Sequence, residues 1–202
     1  MARSAKGLPV KQGKQVLRII GGEWRGRKLR FEAVKDCRPT PDRVRETLFN
    51  WLMHKTPGSK CLDLFSGSGA LGLEALSRGA EHVVFVDIDA RAVQSLEKTL
   101  KDLGTTRYTL KKMDCHQFLK ENQQSFDIVF FDPPYQASVY QSCSEQLEQT
   151  NALSSESLIY VEHGGSVSAE QLPSQWQLLK EKSSGQVHYE LYQRSLLAID
   201  TV

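Results

Sequence analysis

The sequence predicts an α/β fold: a seven-stranded, mostly parallel sheet with an antiparallel edge strand, helices on both faces, and an N-terminal β-hairpin. Three observations point there. From Lys60 onward, short apolar runs of strand length alternate with stretches whose apolar residues recur at helical spacing, the pattern of a parallel sheet covered by helices. The last two strand-like runs are joined by Ser183-Ser-Gly185 without a helix, so they pair antiparallel at one edge. Before Lys60, two apolar runs flank a glycine-rich connection, as in a hairpin.

In chain order, residues 1–15 are rich in Lys, Gly and Gln without periodicity and read as a flexible basic tail. Residues 16–36 form a basic hairpin extension, with strands at Val16–Ile20 and Arg27–Phe31 around Gly21, Gly22 and Gly26. Residues 37–202 form the main domain. Its first helix starts at Thr40-Pro41, Thr as N-cap and Pro at the first helical position, with Val44, Leu48, Trp51 and Leu52 on one face. The strand Cys61–Phe65 leads through Gly67-Ser-Gly69 into a helix from Ala70 to Arg78, and His82–Val86 is the next strand. Asp89 caps a helix carrying Val93, Leu96, Leu100 and Leu103 on one side, and Gly104 stops it. Strands follow at Tyr108–Lys112 and Asp127–Phe131, then a helix from Ser138 to Thr150, a strand at Ser157–Val161, and the closing pair near Trp176–Glu181 and Val187–Gln193.

The net charge of +2 conceals an asymmetry. Residues 1–50 hold 13 Lys+Arg against 5 Asp+Glu, while residues 51–202 hold 13 against 19. A basic front on an acidic body suggests a polyanionic partner, a solvated basic face being the plainer alternative. No apolar run approaches the roughly 20 residues that span a bilayer, and no apolar segment follows the basic N-terminus as in a secretory signal. Cys37, Cys61, Cys115 and Cys143 are widely spaced with no C-x-x-C pair, which reads as neither a disulfide framework nor a zinc ligand set. A cytoplasmic, membrane-free and metal-free monomer is the expectation.

Ligands of such sheets bind beyond the carboxyl ends of the strands. After the first strand, Gly67-Ser-Gly69-Ala-Leu-Gly72 forms a G-x-G-x-x-G turn suited to close backbone approach, although a dinucleotide site or an ordinary turn fits it too. Asp87, at the second strand end, can accept both hydroxyls of a ribose or cap a helix. Asp114, after the third, can take an adenine amino group or cap the following helix. At the fourth strand end Asp132-Pro-Pro-Tyr135 decides between these options. Its prolines stiffen a turn that aims a carboxylate, a carbonyl and an aromatic ring at one point. Such a turn suits a planar base with an exocyclic amino group.

Together these residues resemble the class I, Rossmann-like S-adenosylmethionine-dependent methyltransferases that modify exocyclic amino nitrogens of nucleobases. Arg38-Pro-Thr40, Arg43-Val-Arg45-Glu46-Thr-Leu-Phe49-Asn50, Asp63-Leu-Phe-Ser-Gly-Ser-Gly69 and Asp132-Pro-Pro-Tyr135 narrow the resemblance to the bacterial 16S ribosomal RNA guanine-N2 methyltransferase family, over about Ile19 to Arg194. That family modifies guanine 966 of the small-subunit RNA. The resemblance implies S-adenosylmethionine as cofactor and 16S rRNA, free or within a small subunit, as partner. It also implies site residues. Asp63, Phe65, Gly67, Ser68 and Gly69 would surround the methionine end of the cofactor, Asp87 and Ile88 the ribose side, and Asp114 and Cys115 the adenine. Asp132, Pro133, Pro134 and Tyr135 would hold the target base. Arg18, Trp24, Arg25, Arg27, Lys28, Arg38, Arg43 and Arg45 would contact RNA. Surface salt bridges are the alternative for the arginines of residues 38–45, and packing of the hairpin onto the domain is the alternative for Trp24. Glu162 and His163, after the fifth strand, lie on the same side of the sheet, with His163 read as structural.

Three rival functions fit part of the sequence. A DNA adenine-N6 methyltransferase shares the Asp132–Tyr135 chemistry but usually carries a target-recognition insertion. A nicotinamide-dependent oxidoreductase leaves Asp132–Tyr135 without purpose. A non-catalytic RNA-binding assembly factor has no need of the complete motif set.

Overall fold

The computed structural model of the protein describes residues 14–32, 40–133, 137–164 and 171–195. Apolar runs buried on both sides give the inner strands β3 (Lys60–Asp63), β4 (His82–Asp87), β6 (Phe126–Phe131) and β7 (Leu153–His163), and the half-exposed β5 (Tyr108–Lys112) lies at one edge; all five are parallel. With β8 (Trp176–Ser184) and β9 (Val187–Arg194) they form one sheet in the order β5-β4-β3-β6-β7-β9-β8. The hairpin β8–β9 is present as the sequence implies, but the reversed strand β9 stands one position in from the edge, between β7 and β8. β8 therefore runs in the same direction as β7. The expected antiparallel pairing at one edge of the sheet is present; periodicity identifies the hairpin but not which of its arms docks against β7.

Successive residues of each central strand face opposite sides of the sheet. Cys61, Val83, Phe85, Phe130 and Tyr160 join one apolar cluster with Leu48 and Phe49 of α1 (Asp42–Trp51) and Leu71, Leu73, Ala75 and Leu76 of α2 (Ala70–Ser77). Leu62, Val84, Val129, Phe131 and Ile159 join the other, with Phe118 and Leu119 of α4 (Cys115–Glu121) and Tyr140 and Leu147 of α5 (Ala137–Gln149). Near-continuous apolar strands are what a sheet covered on both faces requires. On α3 (Ala90–Leu103), Asp89 accepts from the N–H groups of Arg91 and Ala92, and Gly104 closes the helix at φ 71°. Both were legible in the sequence. Leu96 and Leu100 form the buried stripe with Ala92 and Thr99, while Val93 and Leu103 are only half-buried. Among the described residues, no helix is long and apolar enough to cross a membrane.

The hairpin pairs β1 (Lys14–Arg18) with β2 (Lys28–Glu32) antiparallel, so Lys14 and Gln15 belong to a strand rather than to the tail. Residues 1–13 and the boundary at 36–37 lie outside the described residues. The turn of the hairpin is fastened to α2. The N–H groups of Ile20 and Gly21 donate to the two carboxylate oxygens of Glu74 at 2.9 and 2.8 Å. The Trp24 N–H donates to Ser77 Oγ, and that hydroxyl donates to the Gly21 carbonyl at 2.6 Å. Gly22 makes this approach possible: its φ is +75°, and a Cβ there would lie 1.8 Å from the Ser77 carbonyl oxygen.

Two expectations for this region are overturned. Trp24 is 4% exposed and packs in the α1–α2 core, so it fastens the hairpin instead of presenting a face to RNA. Arg45 is fully buried. Its guanidinium donates to Glu74 at 3.2 Å, Asp42 at 2.6 Å and the carbonyls of Thr40 and Arg18. A side chain enclosed in this way cannot reach a nucleic acid. Burial lowers its pKa, while the charges of Glu74 and Asp42 oppose that shift. Helix α1 itself begins at Asp42, with Pro41 in the capping position and no side-chain cap, because Thr40 is buried against this network.

Candidate functional site at the carboxyl edge of the sheet

β3 and β6 are neighbours whose following helices lead in opposite directions, to β4 on one side and to β7 on the other. This is a point where strand order reverses, and crevices open beyond the carboxyl ends of strands there. Asp63 ends β3 and Asp132 follows β6 immediately.

Beyond Asp63 the chain makes the glycine turn, with Gly67 and Gly69 at φ 49° and 74°. Asp63 is buried and its Oδ2 accepts from the Gly72 N–H at 3.0 Å, holding the start of α2 over the strand end. Gly72 lies against β4: a Cβ there would meet the Phe85 ring at 2.1 Å. Asp87, at the end of β4, accepts from the Gly67 N–H at 2.7 Å through one oxygen and from the Asp89 N–H at 2.7 Å through the other. It thereby ties the glycine turn to the neighbouring strand end, and each oxygen keeps a lone pair for a further donor. Ile88 beside it is 70% exposed, an apolar side chain left uncovered at the rim. Phe65 is half-buried and packs on Phe131 at 5.9 Å between ring centroids, and Ser68 is half-buried.

One polar atom here was not anticipated. The Ser66 hydroxyl is buried and has no hydrogen-bond partner among the described residues. An orphaned hydroxyl next to a positive-φ glycine turn fits a polar ligand group, and so does the set of lone pairs on Asp87. The sequence pattern pointed to Ser68; only the fold shows which serine of the turn faces inward.

Asp114 caps α4, accepting from His116 and Gln117 N–H through Oδ1. Of its two proposed roles, capping is the one the geometry shows. Cys115 is buried with its sulfur 3.2 Å from that of Cys143. The hydrogen bond between them lowers the Cys115 pKa and raises that of Cys143.

Around Asp132 the acids gather. Burial raises its carboxyl well above the usual range, and the negative charges of Glu162 and Asp63 add to the effect. Burial raises Glu162 as well, opposed by the hydrogen bond donated from the Tyr160 hydroxyl at 2.6 Å. Asp63 is pushed up to about 7, chiefly by burial; the Gly72 bond opposes the shift and Asp87 adds to it. The Tyr140 hydroxyl donates to the Glu162 carbonyl at 2.7 Å and lies 3.4 Å from the Pro133 carbonyl, linking α5 to both strand ends. Pro134 and Tyr135 lie outside the described residues, as does Arg38. His163 is buried, stacked on His188 at 5.5 Å between centroids and 3.6 Å from Glu190, the structural placement expected of it.

On the outer surface of the hairpin Arg18, Arg25, Arg27, Lys28 and Arg30 are exposed, as is Arg43 on α1. Arg18 is 3.6 Å from Asp42. Sequence reasoning overlooked Glu74, Tyr140 and Tyr160. A single acid within a short helix and tyrosines within apolar stretches carry no local signal of these contacts.

Comparison with known proteins agrees with this geometry. The family model described as "Conserved hypothetical protein 95" matches residues 17–193. The ribosomal RNA small subunit methyltransferase D of Escherichia coli (strain K12) is 43% identical over 186 residues, covering 92% of this chain and 94% of that protein. Its namesake in Haemophilus influenzae is 43% identical over 192 residues, covering 93% and 99%. A solved structure from Escherichia coli superposes with a TM-score of 0.81 at 42% identity, covering 90% of this chain and 99% of that one. A more distant structure complexed with SAH shares the fold, with a TM-score of 0.69 at 16% identity, covering 93% and 57%. The chain thus belongs to the family described as "Conserved hypothetical protein 95", that of the bacterial small-subunit ribosomal RNA methyltransferases D.

Proposed function

We propose that this protein transfers a methyl group from S-adenosylmethionine to the N2 amino group of a guanine in 16S rRNA, guanine 966 by family resemblance. The observation that carries the reading is the pairing of Asp63, behind the glycine turn, with Asp132, across the reversal between β3 and β6. A cofactor cradle and an amine-directed carboxyl meet there.

The cofactor supplies an activated methyl group on a sulfonium, so the protein's task is alignment and charge management. The glycine turn and the Ser66 hydroxyl hold the methionine end. Asp87 takes the ribose hydroxyls, Ile88 offers apolar cover, and Asp114 and Cys115 border the adenine. Asp132 and the Pro133 carbonyl accept the two amino hydrogens of guanine, which turns the nitrogen lone pair toward the methyl. A carboxylate raised by burial and by Glu162 is a better proton acceptor than an ordinary one, and it takes up the positive charge that develops on nitrogen. Pro134 stiffens the turn and Tyr135 stacks on the base. The target base leaves its stack to enter. Arg18, Arg25, Arg27, Lys28, Arg38 and Arg43 position the RNA through its phosphates. The protein acts as a monomer on an assembled or partly assembled subunit, in the cytoplasm, with residues 37–202 as the methyltransferase domain and the hairpin as its RNA-facing extension.

Incubation with labelled S-adenosylmethionine and small subunits, free 16S rRNA or DNA tests this directly. Label is expected in guanine N2 of 16S rRNA, and incorporation into DNA adenine would overturn the reading.

A further inference from the structure

The four cysteines are dispersed in sequence, yet the fold brings two of them together with a histidine. α4 and α5 both start at the carboxyl edge of the sheet and pack side by side. This places Cys115 and His116, from the first turn of α4, against Cys143 of α5. The Cys115 and Cys143 sulfurs are 3.2 Å apart, and His116 Nε2 is 3.6 Å from the Cys143 sulfur. The donor atoms of all three residues lie within 4.8 Å of one another.

The histidine is also oriented for ligation. Gln146 Nε2 donates to the His116 carbonyl at 2.8 Å, which turns the amide oxygen toward the ring. That oxygen is 2.6 Å from His116 Nδ1, so Nδ1 carries the proton and Nε2 keeps a lone pair, with the Ser142 hydroxyl at 3.4 Å and the Cys143 sulfur at 3.6 Å as its neighbours. A carbonyl that fixes the tautomer through the remote nitrogen is the usual support of a metal-bound imidazole.

We propose that Cys115, His116 and Cys143 form a binding site for a thiophilic divalent cation, with zinc as the fitting ion. Two sulfurs and one imidazole are a soft donor set of the kind zinc takes. Zn–S bonds of about 2.3 Å and Zn–N bonds of about 2.0–2.1 Å in a tetrahedron put sulfurs about 3.8 Å apart and sulfur to nitrogen about 3.5 Å. The Cys143 sulfur–nitrogen distance of 3.6 Å already matches, and the Cys115 sulfur lies within 4.8 Å of the imidazole donor. The sulfurs need to open by about half an ångström, which small side-chain rotations supply, whereas a disulfide would need them to close to about 2.05 Å. Cys115 and Cys143 are buried, while His116 and Gln146 are half-buried and Ser142 is exposed. The fourth position therefore faces solvent and takes a water. An ion here clasps α4 to α5 beside Asp114, which caps α4; it stiffens that helix pair and takes no part in methyl transfer. The site shares Cys115 with the proposed adenine border, but ion binding is read without reference to methyl transfer.

The test is titration of the full chain, reduced with a non-chelating phosphine, with cobalt as a spectroscopic probe and zinc in competition with a chromogenic chelator. The expected result is one ion per chain with thiolate-to-cobalt charge-transfer absorption. C115S and C143S should each abolish that absorption and weaken binding at least tenfold, while Q146L weakens it by about 10–100-fold. If a cysteine variant does not fold, protection of Cys115 and Cys143 from alkylation by zinc in the unaltered protein, read by peptide mass, decides the question. Absence of charge-transfer absorption, or undiminished binding by folded C143S, overturns the proposal. So does a Cys115–Cys143 cross-link formed with peroxide in a protein that binds no ion, which would mark a redox pair instead.

Discussion

Glu74 is a fully buried carboxylate and Asp132 a half-buried one, and their surroundings are opposite. Glu74 is met by the guanidinium groups of Arg45 and Arg78, at 3.2 and 2.8 Å, and by the N–H groups of Ile20 and Gly21. Asp132 is met by Glu162 and Asp63, acids that raise its proton affinity. A buried charge that is paired and fully hydrogen-bonded serves architecture, here by fastening the hairpin to α2 and α1. Buried acids set against one another cost stability and are typical of places where chemistry is done. The same residue class therefore marks the scaffold in one region and the reaction in the other, and the neighbours decide which.

The largest effect that tests this contrast falls on the scaffold. Glu74→Ala leaves Arg45 buried without its main partner and two backbone donors unsatisfied. It is expected to cost about 3–5 kcal/mol in denaturant unfolding. A loss under about 1 kcal/mol would mean that the hairpin is held mainly by Trp24. At the site, Asp132→Ala should lower methyl transfer by on the order of 10²–10³-fold while cofactor affinity, read by calorimetry, stays within a few-fold. Near-normal turnover would remove Asp132 from the mechanism.

Two pH effects separate the acids further. Asp63 binds its proton more tightly folded, at about 7, than unfolded, at 3.8. The folded state then holds more protons between those values, so this group makes stability fall as pH rises from about 4 to 7, by a few kcal/mol at most. Asp63→Asn should flatten that part of the stability profile, measured as the melting temperature across pH. For Asp132, transfer should rise with pH through a range above that of an ordinary carboxylate, because the ionised form is the acceptor. Glu162→Gln removes the nearest like charge and should move that limb to lower pH; an unmoved limb would uncouple the two acids. The smallest effect on stability belongs to the exposed hairpin cations. Arg25→Ala and Arg27→Ala should change it by less than about 0.5 kcal/mol. Each should nevertheless reduce the slope of log affinity for RNA against log salt by about 0.7–0.9 per phosphate left without its cation.

Much of this was legible in the chain. The strand–helix alternation, the Asp89 and Gly104 helix signals, the glycine turn and the acids at the strand ends are local patterns. Local patterns are set by backbone conformation and by a period of two or 3.6 residues. The basic character of this face was legible, but not which of its basic and aromatic side chains are exposed. Arg25, Arg27 and Lys28 face outward, while Arg45 and Trp24 turn inward, because an amphipathic count over α1 cannot show that Glu74, 29 residues away, waits for a guanidinium.

By itself the sequence determined the α/β class, the order of elements, the motif residues and through them the family. These depend on residue identity and near-neighbour spacing. Only the tertiary structure decided that β9 lies inside β8, that Trp24 and Arg45 belong to the core, that Ser66 rather than Ser68 carries the orphaned hydroxyl, and that Cys115, His116 and Cys143 meet. Each of these rests on contacts between segments distant in the chain. There, packing and the need to satisfy buried polar groups outweigh any local preference.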